Sequence, residues 1–104
     1  MSNIPEVSKM RMQLIATDIY KSRQIITEHH KQEGGNLREV MSSSEIQSLL
    51  KRVGLHLEIG VVKALLKELG FNWNGKSCSM MILFNKCQEY VYGNEQRDVQ
   101  ATTL

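Results

Sequence analysis

A chain of 104 residues, 41% hydrophobic and 23% charged, has the size and composition of one globular domain with a single modest core. Thirteen basic against eleven acidic side chains leave a formal +2, too little to select nucleic acid or an anionic membrane by charge. Two cysteines cannot frame a disulfide scaffold, and the amino terminus carries no apolar signal stretch, so a reducing, cytoplasmic setting is expected.

The first segment, about residues 5–32, reads as one long helix or two short ones. Ile15, Ile19, Ser22 and Ile26 recur at four-three-four spacing, with Met12 and Ile25 beside them. Pro5 is compatible with a first helical turn, where its missing N–H is not needed. The pattern stops at Gly34-Gly35-Asn36.

A hairpin of two helices follows over 43–69. The first starts after Ser42-Ser43-Ser44, whose hydroxyls suit a helix N-cap, and turns Ile46, Leu49, Leu50 and Val53 inward before Gly54. The second runs from about Glu58 with Val62, Leu65, Leu66 and Leu69 inward and Gly70 closing it. Laid over each other at a shift of sixteen residues, the two share their apolar positions and terminal glycines.

The stretch Phe71 to Lys76 is dense in turn formers. A last helix is predicted over 79–92, with Met80, Phe84, Cys87 and Val91 aligned, Leu83 and Tyr90 beside them, and Gly93 as its end. Residues 94–104 are polar and patternless and read as a disordered tail beyond a domain of residues 1–93. The fold class is therefore all-α, with strand limited to short pairing between loops.

Helix, loop, helix, short linker, helix, loop, helix resembles the layout of the EF-hand (calmodulin-like) superfamily, as a degenerate pair. Its calcium loop wants oxygen ligands at places one, three, five and twelve, with glycine at six. Counted from Gly70, Asn72 and Asn74 take places three and five and Gly75 takes six, but place one is Gly70 and place twelve is Met81. No carboxylate lies in 70–81, so this loop lacks the charge a divalent cation needs.

In the first half, Glu45 as closing carboxylate puts Met41 at the apolar loop position and Ile46 just after it. Counting back then sets Arg38 and Glu39 at places five and six, where a ligand and a glycine belong. Measured from the first helix, the stretch His30 to Glu45 looks about four residues too long, as in a remodelled loop. Glu45 reads more plainly as a first-turn helix residue. No metal or other cofactor is expected; Asn72, Asn74 and Glu45 are the residues that would hold calcium.

The resemblance implies two paired hands whose helices leave an apolar cleft for the apolar face of a partner protein's helix. Leu55, Leu57, Met80, Leu83 and Phe84 are the candidate contacts. Trp73 either caps the core or offers the partner an anchor. The six methionines suit an adaptable surface. Members of this family serve signalling, cytoskeletal and ciliary assemblies.

Three alternatives stay open: a calcium-responsive sensor, a helix-turn-helix nucleic-acid binder built on residues 45–69, and a chain end, Thr102-Thr103-Leu104, that docks as an added strand. No zinc spacing joins His29, His30, His56, Cys78 and Cys87; the two adjacent histidines read as solvated residues closing a helix and Cys87 as core. No nucleophile with a base and no phosphate loop is present, so neither an enzyme nor a small-molecule substrate is expected.

Overall fold

The computed structural model describes residues 4–103, with side chains described for residues 4–93. The order is α1 (Lys9–Lys21), α2 (Arg23–Gln32), β1 (Met41–Ser42), α3 (Ser43–Arg52), α4 (Ile59–Glu68), β2 (Lys76–Cys78) and α5 (Met80–Thr103).

The predicted first helix is two helices, and it starts later than expected. Ser8, in extended backbone, caps α1 by accepting from the Arg11 N–H at 3.2 Å. Pro5 is thus outside the helix. The break falls at Ser22, where Arg23 turns back, donates to the Tyr20 carbonyl at 2.8 Å and sets its guanidinium 4.0 Å over the Tyr20 ring. A side chain that takes a terminal carbonyl and stacks on the preceding turn stabilises a bend that apolar periodicity does not reveal.

Three helices end with the same device. Gly35, Leu55 and Phe71 donate back to the carbonyls of His30, Leu50 and Leu66 at 2.7, 2.9 and 2.9 Å, each beside a glycine donating to Lys31, Lys51 or Lys67. Gly34, Gly54 and Gly70 hold the left-handed φ that these closures need, which side chains resist. At the other end, α5 carries helical backbone past Gly93 to Thr103, so Gly93 does not stop it. The expected disordered tail, 94–104, lies outside the residues whose side chains are described.

The core joins every element. Met12, Ile15, Ala16 and Ile19 of α1 and Ile26 of α2 meet Ile46, Leu49 and Leu50 of α3. Val61, Val62, Leu65 and Leu66 of α4 and Met80, Leu83, Phe84 and Cys87 of α5 complete it. Helix α1 packs along α5, α3 against α4, and α2 against α3. The Tyr20 and Tyr92 rings meet edge to face at 5.8 Å between α1 and α5, and the Tyr90 hydroxyl donates to Glu68 at 3.1 Å between α5 and α4.

The two strands pair antiparallel, Met41 with Cys78 and Ser42 with Lys76. They belong to the two interhelical loops, so the sheet is a joint between the α2–α3 and α4–α5 halves. Three residues of β2 lie against two of β1. The loops differ by the same single residue: 33–42 between α2 and α3, 69–79 between α4 and α5. The first loop is therefore not the expanded one the sequence suggested; it is one residue shorter than the second.

Candidate functional site at the joint between the loops

Each loop opens and closes alike. Asn36 accepts from the Arg38 N–H at 2.8 Å, and Asn72 accepts from the Asn74 N–H at 3.1 Å, each two residues beyond a left-handed glycine. At the exits, Ser42 Oγ accepts from the Glu45 N–H at 3.2 Å and Ser79 Oγ from the Ile82 N–H at 3.3 Å. Sheet partners Met41 and Cys78, cap serines Ser42 and Ser79, and the buried Ile46 and Leu83 therefore correspond at a step of thirty-seven residues. The residue facing Glu45 in this frame is Ile82, not Met81. The sixteen-residue overlay of the two hairpin helices compared an exiting helix with an entering one.

Glu45 is the most heavily engaged carboxylate of the joint. Its Oε1 accepts from the Ser42 N–H at 2.9 Å, completing a capping box, and from Lys76 Nζ of the other loop at 3.2 Å. The Ser42 N–H first, and then the Lys76 ammonium, hold its carboxyl below the usual carboxylate range. Glu45 is a first-turn helix residue, and its contact with Lys76 joins the two loops. Asn72 is also committed, since its Nδ2 donates to the Lys76 carbonyl at 3.2 Å while its Oδ1 serves the turn. Asn74 is exposed. One further bond ties the halves together: the Met81 N–H donates to the Leu37 carbonyl at 3.1 Å.

Beside the joint lies an open concavity of ≈ 600 Å³ whose walls include Glu33, Glu39 and Glu45. Arg52 pairs with Glu33 at 2.8 Å and Lys76 takes Glu45. Among the described residues no three His, Cys, Asp or Glu side chains are arranged to hold a metal ion.

His30 forms one wall and is not solvated as expected. It is 6% exposed, and its Nε2 lies 3.2 Å from the Asn36 carbonyl, so Nε2 carries the proton. A Cβ at Gly35 would sit 2.2 Å from the ring, so the imidazole rests directly on glycine backbone. The signal was present in the sequence: His30 extends the Ile26 stripe by one four-residue step. Cys78 and Cys87 are both buried free thiols, and desolvation pushes each up to about 12.

The candidate docking residues divide. Met80, Leu83 and Phe84 are buried in the core, so their surfaces are taken in this conformation. Leu55, Leu57 and Trp73 are half-buried and pack against that core. The exposed large apolar side chains are Met10 and Leu14 on α1, Ile25 on α2, and Val40, Met81 and Ile82 beside the joint. Ile25, expected beside the apolar stripe of the first segment, is exposed instead; spacing does not single out the others, because each lies off a stripe or in a loop.

Helix α4, which the helix-turn-helix alternative would use as its reader, buries Val61, Val62, Ala64, Leu65 and Leu66. Glu68 on it is held by Tyr90. Among the described residues no helix is long and apolar enough to cross a membrane. Compared with protein-family models, curated proteins and solved structures, the chain matches none.

Proposed function

We propose that this chain is a non-enzymatic protein-interaction module, similar to a degenerate EF-hand pair, that docks a partner protein's amphipathic helix without a calcium trigger. One observation carries the reading. The carboxylate that would close a calcium loop, Glu45, is bonded to the Ser42 N–H and to Lys76, a cation supplied by the opposite loop. An ammonium at 3.2 Å supplies positive charge to this carboxylate from the opposite loop. In the frame that the sheet imposes, the second loop closes on Ile82, and Asn72 spends its side chain on the loop's own backbone.

Loss of a trigger leaves a scaffold with one packed state, which suits a constitutive adaptor. Val40, Met81 and Ile82 present apolar surface beside the joint without rearrangement, and Leu55, Leu57 and Trp73 supply half-buried edges. A helix offering apolar residues at i, i+3 and i+4 is the chemistry such surface takes.

Two amide NMR titrations test this. With millimolar calcium the spectrum should stay unchanged; large shifts, with the Gly75 amide moving downfield, would make the chain a sensor and overturn the reading. With a neutral Leu/Glu/Lys amphipathic helical peptide, shifts should gather at Val40, Met81 and Ile82. No shift at millimolar peptide would remove the docking role.

A further inference from the structure

We infer that the groove between α1 and α4 is a docking site for a short extended segment bearing apolar residues around a proline, and that residues 4–7 of this chain fill it as a displaceable strap. The site differs from the loop joint, and the inference does not depend on how the loops treat calcium.

Residues 4–7 precede the Ser8 cap and are not helical. Ile4 and Val7 turn inward and pack half-buried against the core, while Pro5 and Glu6 between them are exposed. The Pro5 ring lies on α4 at Gly60, where a Cβ would stand 3.0 Å from its Cδ and 3.2 Å from its Cγ. Glycine within a helix weakens it relative to alanine, and here its absent side chain is what admits the ring. The groove is thus shaped for a proline flanked by aliphatic residues.

Two features make the strap exchangeable. Among the described residues no hydrogen bond holds 4–7 to the rest of the fold, so it is retained by side-chain packing alone. Segments held this way open at little cost. The strap also leaves beside it an open concavity of ≈ 330 Å³, lined by the apolar Ile4, Met12 and Ala64 and by the charged Glu6, Lys67 and Glu68. A partner segment with a larger apolar residue at the Ile4 position would fill that space and displace the strap. An extended proline-containing strand also has little conformational freedom to lose on binding.

The test uses the full chain and the acetylated peptide Asn-Ile-Pro-Glu-Val-Ser, with a second peptide carrying Phe in the Ile position. Amide shifts at Gly60, Ala64 and Lys67 report occupancy. In the Ile4→Ser/Val7→Ser variant, both peptides should saturate at concentrations at least tenfold lower than in the unaltered chain, and the Phe peptide should bind tighter. Pro5→Gly, which removes only the ring from Gly60, provides a second comparison if the double variant loses its helical circular dichroism. Gly60→Val should abolish binding in a chain that stays folded. Equal affinity for the loosened and unaltered chains, or no shift in a folded loosened variant, would overturn the inference. Because calcium is absent throughout, the outcome is separate from that of the calcium titration.

Discussion

At the scale of single residues, burial decides what each chemically suggestive side chain does. His30 is a structural residue whose Nε2 meets a carbonyl and whose face needs Gly35 bare. Gly35→Ala should therefore destabilise the fold by about 1–3 kcal/mol in urea melts, because a Cβ at 2.2 Å must expel the ring. Combined with His30→Ala, the penalty should fall well below the sum of the two single changes. The thiols follow the same rule. Cys78 and Cys87, pushed up to about 12 by desolvation, should resist a thiol reagent at pH 8 in the native protein and react together once it is unfolded in guanidinium. Rapid labelling of the folded chain would show that one of them is accessible.

Among elements, the joint depends on caps more than on charge. Ser42 Oγ takes an N–H that α3 cannot satisfy internally, so Ser42→Ala should cost about 1 kcal/mol by chemical denaturation. Lys76→Met should cost less, since both partners of the Lys76–Glu45 pair are well exposed and screened by water. The pH sense follows from the lowered Glu45 carboxyl. Its contribution is full above the ordinary carboxylate range and is lost as pH falls through its lowered value, because the unfolded chain takes up that proton first. Denaturation midpoints measured from pH 7 down to pH 3 should fall less for Glu45→Gln than for the unaltered chain. Equal slopes would remove Glu45 as a contributor.

For the molecule as a whole, the question is whether the α5 face is core or cleft. Leu83 is fully buried, so Leu83→Ala should cost about 2–5 kcal/mol in urea melts, the range of a core truncation. A change below 1 kcal/mol would mean that the face opens in solution. Much of this architecture was readable in the residues. Helical periodicity fixed the inward sets Ile46, Leu49, Leu50 and Val62, Leu65, Leu66, and terminal glycines fixed where α3 and α4 close, because both are local properties of a backbone and its nearest turns. The exact register of the second loop, the strap on α4 and the union of Glu45 with Lys76 were not readable. Each depends on groups distant in sequence meeting through the packed core: Pro5 with Gly60, Met41 with Cys78, Glu45 with Lys76. Local patterning determined which helices form and which faces they bury; long-range contact alone decided how the two loops interlock and which apolar surface stays free.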